Sequence, residues 1–224
     1  MKITVTRLTD WKLVADEARR TAWKPPIDHE PSSAWKRKIL VSEHSPIESL
    51  IFRIQMEGIP SWVSVHMVRH HVGMTHWVSS QRPDRSPTGT DRHSLPQDAL
   101  VSHDIVLNAH AIINISRRRL CAQASPETRA VWKSVVEEIR NIGEHELADA
   151  CVPECVHRGF CPEFKSCGLA YSSRFQSLVD HYRKPAAANF SATPSVPAQH
   201  QSHVIGDTIA DQSTTKLIDP SATS

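Results

Sequence analysis

Cationic and hydrogen-bonding side chains gather at the end of one predicted helix. Pro60 suits the first turn of this helix, which we expect to continue to about His71. Spacings of three and four residues place His66, Arg69 and His70 on one helical face. Such a cluster can hold a phosphorylated, planar ligand, although a solvated helix end has the same pattern. Zinc binding by the two histidines is disfavoured, because the glutamate of an HExxH motif is absent.

A second set of polar side chains lies on a helix predicted from Asp98 to about Cys121. Asn108 and Arg119 are eleven residues apart, so at ~100° per residue they return to nearly the same face. Asn114 lies with His110 on another face. Buried amides need hydrogen-bond partners, whereas arginines late in a helix can stay hydrated and favour its dipole. A ligand site and plain solvation therefore both remain open for the arginines.

Four of the five cysteines fall in one short, turn-rich segment, 151–167. Their thiolates could close a tetrahedral zinc site or hold an iron–sulfur cluster. The spacing differs from the CxxC pairs of common zinc ribbons, so simple packing and disulfides remain alternatives. The predicted metal ligands are Cys151, Cys155, Cys161 and Cys167.

Composition indicates an ordinary soluble protein of 224 residues with a formal net charge of +2. This balance gives no global attraction to nucleic acid or membrane, and we expect neither as a partner. No apolar run approaches the ~20 residues that span a bilayer, and the N-terminus lacks a signal-peptide core. We therefore expect a cytoplasmic protein, in which cysteines rarely form a disulfide scaffold.

Hydrophobic periodicity predicts an α+β fold. Apolar side chains alternate from Leu50 to Met56, which is typical of a half-buried antiparallel strand that ends at Gly58. Thr9 or Asp10 is expected to cap the first helix, with Leu13 facing inward. The predicted strands are 2–6 and 50–56, and the predicted helices are 10–22, 34–41, 60–71, 98–121, 126–150 and 170–182.

Domain organisation follows from a change in composition near residue 184. Residues 1–183 are expected to form one folded domain that contains the cysteine-rich element. Residues 184–224 are rich in Ala, Pro, Ser and Thr and are expected to be a disordered tail. The loop 82–97 is either a substrate lid or a plain surface loop.

These pieces, in this order, resemble the flavin-dependent thymidylate synthases, the ThyX family, over roughly residues 1–150. The family's Arg-His-Arg triplet corresponds to Arg69-His70-His71, and its Ser-x-Arg corresponds to Ser80-Gln81-Arg82. A Ser-Pro-x-Glu turn precedes the first strand of the motif at 45–48. The departures are His71 in place of the second arginine, His76-Trp77 in place of Asn-Glu, and Pro83 in place of a tyrosine.

The resemblance implies a ThyX-like fold, in which an antiparallel-rich sheet packs with long helices. It implies an enzyme that methylates dUMP at C5 with methylenetetrahydrofolate, using FAD and NADPH, and assembles as a homotetramer. The implied FAD-binding residues are Arg69, His70, His71, Asn108 and Asn114. The implied substrate-binding residues are His66, Ser80, Arg82 and Arg119, of which Ser80 and Arg119 are also implied to be catalytic.

Two alternatives remain at this stage. The altered triplet leaves open a flavin enzyme that makes another C5-modified pyrimidine nucleotide, such as hydroxymethyl-dUMP. The arginines at 117–119 and the cysteines also allow a metal-stabilised nucleic-acid-binding module, although the net charge and the lack of interleaved aromatic residues disfavour it.

Overall fold

The computed structural model describes residues 1–86 and 88–187, which contain a four-stranded antiparallel sheet packed with helices. The predicted α+β class is confirmed. The strands are β1 (Lys2–Arg7), β2 (Ile51–Pro60), β3 (Met74–Val78) and β4 (Leu100–Asn108), in the order β1-β2-β4-β3. The helices are α1 (Trp11–Arg20), α2 (Ser33–Val41), α3 (Ser61–Val68), α4 (Ala109–Arg119), α5 (Pro126–Asn141), α6 (His145–Ala150), α7 (Glu154–Arg158) and α8 (Phe175–Ala187). Short 3-10 turns lie at Ser45–Ser49, Arg92–Ser94 and Leu169–Tyr171.

The central strand β2 follows the alternation in its sequence. Phe52, Ile54 and Met56 are fully buried, and β2 pairs antiparallel with both β1 and β4. Gly58 does not end the strand as predicted. It has a φ of +69° and lies where the register shifts between Met56 and Ile59, so it forms a bulge that an L side chain would strain.

The helix predicted over 98–121 is wrong in its first half. Residues 100–108 form β4, whose buried residues alternate at Val101, His103, Ile105 and Leu107. Asn108 ends this strand in an extended conformation, and its Oδ1 accepts a hydrogen bond from the Ala111 amide, which starts α4. The apolar residues of 100–108 fit both the helical and the strand period, so the sequence pattern is ambiguous. The segment forms a strand because it pairs with β2.

Other boundaries also differ from the sequence prediction. The helix predicted over 126–150 is broken at Gly143, whose φ of +90° ends one helix and allows α6 to start in a new direction. Strand β3 had not been predicted, because it is a short edge strand with Trp77 and Val78 largely exposed. On α1, capped by Asp10 as expected, Trp11 is buried and Leu13 is 38% exposed, so the inward position predicted for Leu13 is wrong.

The C-terminal helix α8 is attached to the domain by a buried arginine. Arg37 Nη2 donates to the carbonyl of His181 at 3.4 Å and to the carbonyl of Tyr182 at 3.1 Å. Arg37 lies on α2, so these two hydrogen bonds join α2 to α8.

The predicted tail lies mostly beyond the described residues. Residues 184–187 belong to α8, and 188–224 fall outside the part of the chain that the structure describes. Among the described helices, none combines the length and apolarity that a membrane crossing needs. The loop 82–97 contains the short turn at Arg92–Ser94, and its role as a lid stays a prediction.

The buried carboxylate of Glu144 joins β1 and α1 to the connection between α5 and α6. Glu144 is 4% exposed and accepts hydrogen bonds from Arg7 and, at 2.8 Å, from Trp11 Nε1. We expect Glu144→Ala to lower the free energy of unfolding by ~3 kcal/mol or more, because it leaves a partly buried charge and a buried indole N–H without a partner. Urea denaturation measures this change.

The matched control is Glu137→Ala on α5. That carboxylate is 62% exposed and pairs with Lys133 at 3.7 Å, so we expect a loss below ~0.5 kcal/mol. Equal losses in the two variants contradict the role assigned to Glu144.

Candidate functional site

The C-terminal ends of α3 and α4 meet through one guanidinium group. Arg119 Nε donates to Nε2 of His70 at 3.0 Å, and Arg119 Nη2 donates to the carbonyl oxygen of His66 at 2.6 Å. The carbonyl end of a helix carries partial negative charge, which favours a cation there. The structure therefore brings together two residues that were predicted from separate segments, His70 and Arg119.

His70 is held as a neutral imidazole. Burial, and after it the charge of Arg119, lowers the pKa of His70 to about 4. Because a guanidinium only donates hydrogen bonds, Nε2 of His70 must be the unprotonated nitrogen, and the proton lies on Nδ1. Near neutral pH, Arg119 and not His70 therefore supplies the fixed positive charge of this contact.

Two further histidines, which the sequence prediction did not include, support the turn after α3. His76 Nε2 lies 2.7 Å from the carbonyl oxygen of His70, and His76 Nδ1 lies 3.0 Å from Nε2 of His103. His103 is fully buried, and burial lowers its pKa to about 4. The consistent assignment has His103 donating to His76 and His76 donating to the His70 carbonyl. His76 lies on strand β3, which was not predicted, and His103 lies on β4, which was predicted to be helical. Hydrophobic periodicity therefore did not indicate that either histidine lies near the site.

His66 is turned toward α5. Its Nδ1 lies 2.8 Å from Oγ1 of Thr128, a buried residue in the first turn of α5. Ser125, which caps α5, donates to the same hydroxyl at 2.7 Å. The His66 ring thus links α3 to α5, and contact with substrate through its other nitrogen stays a prediction.

Two arginines at this site lack carboxylate partners. Arg82, Arg117 and Arg118 each pair with an acidic side chain. Within the residues that the structure describes, Arg69 and Arg119 have no carboxylate at ion-pair distance. Burial lowers the pKa of Arg119, and the nearby charge of Arg69 lowers it further. Two like charges near each other, without a counter-ion, favour a bound anion.

A groove of about 500 Å³ adjoins Arg69, between α3 and the end of β3. Its walls are mainly aliphatic, with hydroxyl groups at the start of α3 and after β3. Such a groove suits a flat, largely apolar ring system whose polar end meets the exposed Arg69. The lining residues are Ser61, Ser64, Val65, Val68, Arg69, Val78, Ser79, Gln81 and Val101.

Ser80 and Arg82 lie away from the Arg119–His70 contact within this chain. Ser80 is four residues beyond His76, the β3 residue that contacts the His70 carbonyl, which corresponds to about 13 Å of extended chain at ~3.3 Å per residue. Arg82 forms a bidentate pair with Asp84, at 2.9 and 2.8 Å. Both residues are exposed. Within the described residues, no hydrogen bond or ion pair joins Ser80 or Arg82 to His66, His70 or Arg119.

The remaining predicted cofactor residues separate into two environments. Asn108 caps α4 and packs on Gly73, where an added Cβ would lie 2.8 Å from the amide nitrogen of Asn108. His71 is exposed beside the same turn, with Nδ1 3.2 Å from the Arg69 carbonyl. Asn114 is exposed on another face of α4 and accepts a hydrogen bond from Arg117. Asn108 and His71 thus lie at the turn 69–73, whereas Asn114 lies elsewhere on α4.

Three of the four predicted metal ligands lie together. Cys155, Cys161 and Cys167 line one small cavity, and the fourth cysteine of that cavity is Cys121, at the end of α4. Cys151 belongs to the main core beside Ser116, where burial raises its thiol pKa to about 12. In the described residues, no three His, Cys, Asp or Glu side chains already stand in the arrangement of a metal site.

The fold is similar to that of solved flavin-dependent thymidylate synthases. A crystal structure of ThyX from Helicobacter pylori, complexed with FAD and dUMP, matches with a TM-score of 0.53 at 16% identity, over 68% of this chain and 100% of that chain. A second structure of ThyX from Helicobacter pylori with FAD and dUMP gives a TM-score of 0.51 at 14% identity, over 67% and 99% of the two chains. No family model and no curated protein matches the sequence.

The low pKa values of His70 and His103 make the free energy of unfolding depend on pH. His70 and His103 have pKa values near 4 in the fold, against 6.5 ordinarily. As the pH falls from 6.5 to 4, the unfolded chain takes up protons that the folded chain does not, so stability is lost in this window. The loss approaches ~3 kcal/mol for a fully buried histidine. Urea denaturation at several pH values measures it.

Substituting His103 measures how much this one residue contributes to the pH dependence of the unfolding free energy. We expect His103→Gln to be less stable than the wild type at neutral pH but to have a flatter pH dependence. His29→Gln, at a ring that is 73% exposed, should leave the slope unchanged. A wild-type unfolding free energy that stays constant from pH 6.5 to 4 contradicts the assignment of two neutral histidines.

Proposed function

We propose that this chain is a flavin-dependent thymidylate synthase, which methylates dUMP at C5 with methylenetetrahydrofolate, using FAD and NADPH, and releases dTMP. The main support is the pair of arginines without carboxylates, Arg69 and Arg119, on either side of the neutral His70. The shared fold with two enzymes solved with FAD and dUMP supports the same conclusion. Both ligands carry phosphate groups, which such a pair of charges attracts.

Arg119 acts on the uracil ring by electrostatics. Its Nε and one N–H of Nη2 are held by His70 and the His66 carbonyl, so in the described residues the two N–H groups of Nη1 and the second N–H of Nη2 remain as donors for a ligand. A guanidinium that is already oriented stabilises the negative charge that develops on a uracil carbonyl when C5 becomes nucleophilic. His70 is a positioning residue in this proposal, since its lone pair fixes the plane of the guanidinium.

The groove beside Arg69 fits part of a flavin cofactor. Its aliphatic walls suit the isoalloxazine ring, and Arg69 at its edge suits the pyrophosphate. Bound FAD supplies the redox chemistry of the methyl transfer, and the protein positions and polarises the reactants. His71 and Asn108, on the turn that follows Arg69, are the other residues of this chain that we place toward FAD. Asn114 is retained only as a prediction.

A complete site needs a second chain. Ser80 and Arg82 lie at the far end of β3 from Arg119, although all three are proposed to contact substrate. Trp77 on β3 is an exposed apolar side chain that does not line the flavin groove, and it provides a surface through which subunits can associate. We therefore propose a homotetramer in which one chain supplies Arg119 and another supplies Ser80 and Arg82.

The nucleic-acid-binding alternative loses its main support in the fold. Arg117 pairs with Glu43, Arg118 with Glu163, and Arg119 with the end of α3. The three arginines thus diverge and do not form the continuous basic surface that a phosphate backbone requires.

Product analysis tests the proposed reaction. We expect the purified full chain to bind FAD and to convert dUMP to dTMP when methylenetetrahydrofolate and NADPH are supplied, as detected by mass spectrometry of the nucleotide. A product with the mass of hydroxymethyl-dUMP indicates the other C5-modifying reaction instead. Failure to bind FAD at any concentration removes the flavin from the proposal.

If Arg119 stabilises charge on the uracil ring, removing its side chain should lower kcat strongly. We expect Arg119→Ala to fold and to lose about 100- to 1,000-fold in kcat, which corresponds to ~3–4 kcal/mol for one lost donor. The matched control is Arg118→Ala, because this neighbouring side chain is 57% exposed and pairs weakly with Glu163 at 3.8 Å. The control should stay within twofold of wild type, and equal losses in both variants remove Arg119 from the mechanism.

The shared site predicts complementation between inactive chains. Light scattering should give a mass near 100 kDa, four times the 25.1 kDa of one chain. When Arg82→Ala and Arg119→Ala chains are denatured and refolded together, about a quarter of the sites should contain both arginines and regain activity. A monomer with full activity, or mixtures that stay inactive, contradicts the shared site.

A further inference from the structure

A group of four thiols from distant parts of the chain lines one cavity. Cys121 follows α4, Cys155 lies on α7, and Cys161 and Cys167 lie in the loop that follows α7. The sequence analysis grouped Cys151 with Cys155, Cys161 and Cys167. The structure places Cys121, and not Cys151, beside the other three. The cavity group is defined here as Cys121, Cys155, Cys161 and Cys167.

The size of the cavity favours a single ion. Its volume is about 10 Å³, which is close to the space that one water-sized particle occupies. The thiols do not yet stand in ligand geometry, so binding requires their side chains to rotate inward from the cavity wall.

Charged side chains of both signs surround the four thiols. Glu154 and Glu163 line the same cavity as the cysteines, and Arg129 and Arg174 line the adjoining cavity together with three of the cysteines. The two carboxylates favour a cation in the cavity, and the two arginines offset the net negative charge of a tetrathiolate centre.

The local fold around the cysteines has only a small hydrophobic core of its own. The second hydrophobic cluster consists of five buried residues on α7 and α8 and is much smaller than the main core. The loop between Gly159 and Gly168 leaves Phe160 and Phe164 largely exposed. One cross-link to the rest of the chain is the hydrogen bond from Gln123 to the Lys165 carbonyl, at 2.7 Å. Small cores of this kind are commonly stabilised by a metal.

We propose that the cavity group binds one structural Zn²⁺ ion, which takes no part in the flavin chemistry itself. Four thiols lose four protons and bind Zn²⁺ as a tetrahedral tetrathiolate with a net charge of −2. The ion connects the end of α4 to α7 and its following loop. Because Cys121 is two residues after Arg119, the same ion anchors the helix end that carries the proposed catalytic arginine.

Metal analysis of matched variants tests this assignment. We expect one zinc per chain in full-length protein purified without chelators, and less than a tenth of that in Cys121→Ala. Cys151→Ala is the matched control and should keep its zinc, because Cys151 lies in the main core and not in the cavity. Wild-type protein with less than half an equivalent of zinc, or with iron and sulfide instead, overturns the proposal. Loss of zinc from folded Cys151→Ala but not from Cys121→Ala also overturns it.

Alkylation of the wild-type protein gives a second test that does not depend on how a variant folds. Cys167 is exposed and should react at once with iodoacetamide if it binds no metal. We expect mass spectrometry to find all four cavity cysteines protected, and to find them modified together after zinc is removed with a chelator. Immediate alkylation of Cys167 in untreated protein contradicts the site. Binding of FAD and dUMP, measured in parallel, separates this result from the proposed function.

Discussion

The candidate site depends on a guanidinium group held without a carboxylate. Arg119 is half-buried, yet its partners are a backbone carbonyl and a neutral imidazole at the end of α3. A carboxylate would satisfy the guanidinium by neutralising it, and little charge would remain for a ligand. The partners found here fix its orientation and leave its full charge. The arrangement is stable only if His70 remains neutral, which its burial ensures.

Much of the surrounding structure serves to keep this contact in place. The chain from His103 through His76 fixes the backbone of His70, while the His66 ring fixes α3 against α5. On the opposite side of α4, Arg117 is neutralised by Glu43. One helix end therefore presents two arginines in different environments: Arg117 is in an internal ion pair, and Arg119 has no carboxylate at ion-pair distance in the described residues. The difference follows from which segments pack on each face of α4.

The cysteine group and the arginine site share the end of α4. A metal at Cys121 would restrict the motion of the residues just after Arg119, and so it would also restrict the position of the Arg119 guanidinium. The cysteine-rich segment is thus not a separate appendage to the fold. It lies against the same helix end, and its small hydrophobic core explains why additional ligation is useful there.

The sequence by itself determined those features that depend on short-range patterns. The alternation in β2, the Asp10 cap of α1 and the common face of His66, Arg69 and His70 follow from residues within a few positions of one another. The order of the motifs also indicated the fold that the solved structures share. Tertiary structure alone decided between strand and helix at 100–108, since both periods suited the sequence and only pairing with β2 separates them. It also decided that Cys121 and not Cys151 joins the cavity, and that Arg119 and not Arg117 meets His70. These contacts join residues far apart in the chain, and local propensity carries no information about which distant surfaces will pack together.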